Sequence, residues 1–356
     1  MHRSRERVLR ILRHDGPGLV AYDALRSPAV REVVDSLDLP EKWRAYFREG
    51  DIRYVGAEPP GERERFAGYL PDLPAEAQVS CWGVGRIALQ NAHGHHAGHR
   101  YFHPLADIDT IAGLDVYPWP DPGAARDPDD LRAEVASLQS EGFAVIGNAS
   151  QTVLETAYLM RGIDRLFLDF YERPDYLDAL FAKLTEQRIV QMRALARAGV
   201  DAIRIGDDIA TQEALMISPP MYRERLKPHH SAAVRAAREV APDLPVAYHS
   251  DGDITALLPD LVEIGVTAIN PVQPECMDLR AVSREFGADL ALWGCTPVQS
   301  TYAHGTPEQV REHTRFLFNE IAPARGLIVQ FMNIVITPHV LESLRAFFEK
   351  FAGREP

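Results

Sequence analysis

The chain is short of cysteine, of long apolar runs and of basic charge, and each shortage closes a class of answers. Three cysteines in 356 residues (Cys81, Cys276 and Cys295) are too few for a disulfide framework, so reduced thiols and a cytoplasmic setting are expected. No stretch reaches the roughly 18 consecutive apolar residues that a membrane-spanning helix needs, and the charged start Met1-His2-Arg3-Ser4-Arg5-Glu6-Arg7 is unlike the apolar centre of a secretion signal. Asp and Glu (51) outnumber Lys and Arg (38), leaving a net charge of -13. Such a chain repels nucleic acid and anionic membrane at range, so neither is an expected partner. There is no GxGxxG after a strand, no GxxxxGK[ST] and no GxSxG, which argues against nucleotide-dependent chemistry and against a serine hydrolase.

What the sequence has is a regular alternation of short apolar runs and helical periods. Residues 3 to 14 carry Val8, Leu9, Ile11 and Leu12 at helical spacing, read as a lid helix ahead of the first strand, Gly18 to Tyr22, which ends at Asp23. Two short helices broken by Pro40 and a strand over 51–55 follow. From 56 to 142 the periodicity weakens, as expected of an elaboration over a barrel mouth. After Gly142, strands at 143–148, 202–206, 245–249, 267–272, 289–294 and 326–331 alternate with helices at 151–160, 163–171, 174–198, 219–240, 254–264, 278–286, 307–322 and 338–352. Repeated βαβ units in one chain of this length point to a single-domain (β/α)8 barrel over residues 1–356.

Five apolar runs end in polar side chains, which in such a barrel marks the catalytic face. Val246-Ala247-Tyr248 delivers His249, Ser250 and Asp251, and Ile203-Arg204-Ile205-Gly206 delivers Asp207 and Asp208. Alternation places Arg204, Gly206 and Asp208 on one side of their strand, and of the adjacent Asp207 and Asp208 one is expected to face the cleft and the other to cap a helix or pair with a lysine or arginine. The other runs lead to Asn270 and Gln273, to Cys295, and to Gln330 and Asn333. His249 and Asp251, two apart, suit an oriented general base or a metal. Zinc takes three protein ligands in catalytic sites, a number met by His249, Cys295 and one of Asp251, Glu275 or Cys276. Inward Arg204 would hold an acidic substrate group. The loop Asn91 to His103 carries five histidines without the spacing of a metal-binding helix, and reads as an exposed hairpin.

Several segments together resemble the uroporphyrinogen decarboxylase superfamily: His103-Pro104-Leu105-Ala106-Asp107 with Tyr117-Pro118-Trp119-Pro120-Asp121-Pro122, Leu159-Met160-Arg161-Gly162, Gly206-Asp207-Asp208, Ile217-Ser218-Pro219 with Tyr222-Arg223, His249-Ser250-Asp251-Gly252-Asp253, and His304-Gly305-Thr306-Pro307-Glu308. The resemblance implies a (β/α)8 barrel, commonly paired as a homodimer. It departs from the true decarboxylase at Ala21-Tyr22-Asp23-Ala24-Leu25-Arg26-Ser27, where that enzyme has an Arg-Gln-Ala-Gly-Arg segment for substrate carboxylates. Only Arg26 remains, so a tetrapyrrole with many carboxylates is not the expected substrate. The corrinoid-dependent methyltransferase branch is more similar. In that branch a cysteine after the histidine and another on the last strand help to hold zinc; here Asp251 and Met332-Asn333 stand at those places.

The resemblance therefore implies methyl transfer between a small O-, N- or S-methyl compound and a corrinoid on a separate protein. His249, Asp251, Cys295 and Glu275 would hold zinc or a proton, and Asp207, Asp208, Arg204, Arg26, Asp23, Gln273, Tyr302 and Asn333 would contact or position the substrate. A second reading is a cofactor-free decarboxylase of a smaller carboxylic acid, with Asp207 or Asp208 as catalytic groups stabilising the carbanion or protonated intermediate, His249 as proton donor and Arg26 or Arg204 on the carboxylate. A third is a non-catalytic ligand-binding barrel.

Overall fold

The computed structural model describes residues 4–90, 96–121 and 126–353. In chain order its strands are β1 (Val20–Asp23), β2 (Ile52–Val55), β3 (Gln78–Val79), β4 (Gly85–Gln90), β5 (His96–Phe102), β6 (Ala144–Ser150), β7 (Ala202–Gly206), β8 (Val246–His249), β9 (Ala268–Val272), β10 (Ala291–Gly294) and β11 (Leu327–Gln330). Eight of them are parallel, in the order β1-β11-β10-β9-β8-β7-β6-β2, with helices between them: the expected (β/α)8 barrel. The seam between β1 and β2 is closed by Asp51, whose backbone N–H donates to the Tyr22 carbonyl at 2.8 Å while its carboxylate accepts from the Tyr22 N–H at 2.7 Å.

Small and branched residues fill the barrel. Ala21, Ile52, Ala144, Ile146, Ala202, Ala247, Ala268, Ala291, Trp293 and Ile328 form one apolar cluster with Val8, Ile11 and Leu12 of the helix Ser4–Leu12. That helix is thus a plug at the amino ends of the strands and not the lid the sequence suggests. Its apolar stripe finds uncovered alanines only at that end, and Arg5 and Arg7 anchor it to Asp201 and Asp51 beside the strand starts. A larger cluster between strands and helices runs from Val20 to Phe351.

Helix boundaries follow local chemistry. Ser27, Asp127, Ser218, Asp278, Thr306 and Thr337 each cap a helix with their side chains, and Thr306 with Gln309 forms a full capping box. Two expected helices are interrupted. The 219–240 segment divides at Leu226 into Pro219–Arg225 and Lys227–Arg238, and the 307–322 segment widens into a π turn over Leu317–Ile321. Pro228 and Pro323 explain both, since neither can donate to the carbonyl one turn back. In the elaborated region β3, β4 and β5 form an antiparallel sheet, and β5 packs on the helix Leu154–Arg161 beside the barrel mouth. Of the histidine-rich loop, residues 91–95 lie outside the described residues.

Candidate active site

The carboxyl ends of the strands carry a continuous hydrogen-bonded polar layer. Asp23, fully buried on β1, accepts from the Tyr54 hydroxyl and from Gln330 Nε2, both at 2.5 Å. Gln330 Oε1 in turn accepts from Asn270 Nδ2 at 2.7 Å, and Asn270 Oδ1 lies 2.8 Å from His249 Nδ1. Each amide has its orientation set by the group before it, so Asn270 offers an acceptor and His249 places its proton on Nδ1. His249 Nε2 then faces Asp208 Oδ1 across 3.8 Å, too long for a hydrogen bond and open to a substrate group. Burial, reinforced by the Arg204 charge, lowers the His249 pKa and favours the neutral ring.

Arg204 crosses the barrel from β7. Its guanidinium lies over the Tyr54 ring, 4.6 Å from the centroid, and reaches the Tyr54 hydroxyl, Asn270 Oδ1 and Asn148 Oδ1 at 3.4, 3.3 and 3.4 Å. Its Nε is buried without a partner, and among the described residues it forms no ion pair with a carboxylate. A guanidinium held only by long neutral contacts is available to an anion.

The motif Gly206-Asp207-Asp208 divides as alternation predicts. A side chain at Gly206, φ +136°, would stand 2.0 Å from the His249 carbonyl oxygen, so glycine is what lets β7 and β8 approach there. Asp207 turns away from the mouth: its carboxylate accepts from the backbone N–H of Val153, Leu154 and Glu155 at 3.0–3.1 Å and sits 2.8 Å from His230 Nε2. Burial alone would raise its pKa, but these donors and His230 hold it below the usual carboxylate value. Asp207 is therefore the cap of the helix Leu154–Arg161 rather than a group that meets substrate. Asp208 faces the mouth and accepts from the Asp251 N–H at 2.9 Å.

Capping by Asp207 brings in Glu155, which the sequence reading missed. Its carboxyl is pushed up to about 8 by burial and by the charges of Asp208 and Asp207. An acid in the first turn of a helix reads from sequence as a partner of the helix dipole, and only the carboxylates of another strand end give it a second role. Asp251 is pushed up to about 7 by burial and by Asp208. Its Oδ2 accepts from Asn333 Nδ2, while its Oδ1 is buried without a partner. The nearby helical turn is capped by Asp253 and not by Asp251. Gln273 Oε1 takes the Gly252 N–H at 2.7 Å, holding the loop after His249 in place. Tyr54 and Asn148, inward polar residues of β2 and β6, also belong to the site and were not singled out from sequence.

Besides Asp207, four expected members lie elsewhere. Cys295 is fully buried in the apolar shell, its thiol pushed up to about 12 by burial alone. Gly294 at φ +104° and Cys295 at +62° break the strand geometry and turn the thiol outward. Tyr302 is also in that shell, its ring 4.9 Å from that of Phe331. Glu275 Oε1 binds the Gln299 N–H, the Ser300 N–H and the Ser300 hydroxyl at 2.9–3.0 Å, a loop cap. Arg26 donates to the Glu49 and Ile52 carbonyls and lines a separate cavity of about 330 Å³ with Val30, Val34 and Phe47. Among the described residues no three His, Cys, Asp or Glu side chains converge to hold a metal ion, so the zinc ligand set His249, Cys295, Asp251 and Glu275 does not assemble.

A family model of uroporphyrinogen decarboxylase (URO-D) matches residues 126–352. The chain belongs to the URO-D family. The matched span includes every strand from β6 to β11, and with them Glu155, Arg204, Asp208, His249 and Asp251 of this URO-D family member. Among solved structures it is similar to a methyltransferase from Methanosarcina mazei, with TM-score 0.63 and 17% identity over 98% of this chain and 97% of that one. This is a likeness of fold. A Xaa-Pro dipeptidase with bound methionine in the active site superposes at TM-score 0.31 and 14% identity, covering 63% of this chain and 56% of that one, and carries no argument. No curated protein matches the sequence significantly.

Proposed function

We propose that this URO-D family member is a barrel enzyme that removes a methyl group from a small O-, N- or S-methyl compound and passes it to a corrinoid carried by a separate protein. The observation that carries the reading is the pairing, in one mouth, of a guanidinium that meets no acid among the described residues and carboxyl groups that burial and a neighbouring charge push toward the protonated form. Arg204 binds an anionic group of the substrate and fixes its orientation. As the bond from methyl carbon to heteroatom breaks, the electron pair stays on the heteroatom, which needs a proton to leave as a neutral group. Asp251 is placed to supply that proton, with His249 beside it as acceptor for the reverse step. When bound, the reduced corrinoid supplies the electron pair that takes the methyl carbon. Asp208 and Asn333 border the open side of the mouth, the former with a third of its side chain exposed, so a large partner can approach there. The methyltransferase fold likeness over nearly the whole length supports the same reading.

A second reading is decarboxylation of a small carboxylic acid, favoured by the same unpaired Arg204. There Arg204 holds a carboxylate, carbon dioxide leaves, and the remaining carbon takes a proton from Asp251.

The test is to incubate the protein with panels of small methylated compounds and small carboxylic acids, with reduced free cobalamin present or absent. Loss of the reduced cobalamin absorbance together with a demethylated product supports methyl transfer. Carbon dioxide released without cobalamin overturns it in favour of the second reading.

A further inference from the structure

The resemblance to the methyltransferase branch implies zinc thiolates where this chain has Asp251 and, near the last strand, Met332-Asn333, and here Asp251 and Asn333 bind each other. Asp251, two residues after His249, receives the amide of Asn333 on its Oδ2. Asn333 stands at φ +56°, a left-handed conformation that asparagine tolerates better than most residues, and this bend beyond β11 brings its amide back over the mouth. The backbone N–H of Asp251 is fixed on Asp208 at 2.9 Å, and His249 Nδ1 is fixed on Asn270 at 2.8 Å. Cys295 is in the apolar shell, and Cys276 Sγ lies 3.6 Å from Gln273 Oε1 on the side of the loop. Neither thiol joins His249. One atom of the pair is left over: Asp251 Oδ1, buried and without a partner.

We infer that a hydrogen-bonded Asp251–Asn333 pair replaces the thiolate-bound metal in this chain, and that Asp251 Oδ1 is the atom that contacts the reacting heteroatom of the substrate. The physical contrast lies in the donors. A thiolate pair is soft, doubly charged and unsatisfied without a cation. A carboxyl group bound to a neutral amide carries at most one charge, is half satisfied already, and offers its other oxygen to give or take a proton. Zinc would activate a heteroatom through its lone pair, whereas Asp251 acts on it through a proton. The inference sharpens the methyl-transfer reading and rests on it only for the word heteroatom; under decarboxylation the same oxygen faces the carbon that is protonated.

The test needs no turnover. Tag-free wild type, Asp251→Ala, Asp251→Cys/Asn333→Cys and the latter combined with His249→Ala are titrated with zinc against a chromophoric chelator. Folding of each is checked by circular dichroism. The expected result is that wild type and Asp251→Ala compete equally poorly for zinc, while the double-cysteine variant gains one tightly held zinc per chain that His249→Ala removes. A wild-type protein that holds one zinc, lost on Asp251→Ala, overturns the inference, and so does a folded double-cysteine variant that gains none. If the double variant does not fold, the comparison of wild type with Asp251→Ala decides. Failure of methyl transfer leaves these binding results untouched, and zinc bound by wild type would leave methyl transfer standing, so the two ideas fail separately.

Discussion

The two ends of the barrel treat buried charge in opposite ways. At the amino end the buried acids Asp201 and Asp51 each have an arginine partner. Arg5 holds Asp201 with a contact of 2.7 Å while Asp201 also takes the Val145 N–H at 2.9 Å. Arg7 meets Asp51 at 2.7 Å, and Asp51 serves the Tyr22 N–H and the Tyr46 hydroxyl as well. At the carboxyl end, among the described residues, Arg204 pairs with no carboxylate, Asp251 Oδ1 meets no donor, and the charge of Asp208 raises the proton affinity of both Asp251 and Glu155. Both ends are built from the same kind of strand terminus. The difference teaches that a buried acid becomes stability when the fold supplies its partner and reactivity when that partner is left for a substrate to provide.

Breaking the paired end should give the largest effect. Asp51→Ala leaves Arg7 buried without its acid and opens the β1–β2 seam, so unfolding free energy should fall by about 3–5 kcal/mol, measured by urea denaturation, with turnover per folded molecule retained. Full stability would remove the contrast. At the other end Asp251→Asn should lower kcat by about 100-fold or more with little change in the urea midpoint; an equal loss of stability would make Asp251 structural. Arg204→Met should raise KM for an anionic substrate roughly tenfold, in line with the loss of one charge-assisted contact, and leave stability unchanged or improved by about 1 kcal/mol.

A smaller effect is expected with pH. Burial and neighbouring carboxylates push Glu155 up to about 8 and Asp251 up to about 7, well above the ordinary carboxylate range. The folded state therefore binds protons that the unfolded chain has released, and stability should decline as pH rises from about 4 to about 8. Glu155→Gln should flatten the upper part of that slope in thermal unfolding scans; an unchanged slope would place the titration elsewhere. Least affected should be activity in Cys295→Ser, which buries a hydroxyl in the apolar shell at a cost of about 1–3 kcal/mol but touches nothing in the mouth. Loss of activity beyond the loss of folded protein would bring Cys295 back into the site.

Much of the fold was legible because its signals are local. The helix Pro174–Ala198 and the strand Ala202–Gly206 lie where periodicity and flanking residues put them, and Thr306 and Thr337 cap helices as their spacing suggests. That Arg204 and Asp208 share a side followed from alternation, and His249 was legible as the polar end of an apolar run. The errors share a cause. Arg26, Glu275 and Cys295 lie in the connections after a strand and Tyr302 in a short helix beyond one, where the path of the connection sets direction, and Asp207 is claimed by the backbone N–H groups of a neighbouring helix.

By itself, then, the sequence determined the barrel, the order of its strands and the polar character of their carboxyl ends, because apolar period, capping and turn chemistry act within a few residues. Only the tertiary structure decided which polar groups meet. Glu155 reaches the mouth because Asp207, 52 residues away, caps its helix, and Asp251 is bound by Asn333, 82 residues away. A left-handed turn sends Cys295 outward. Such meetings depend on loop paths and on burial shared among distant strands, and it is this shared burial that moves the protons at the mouth of the barrel.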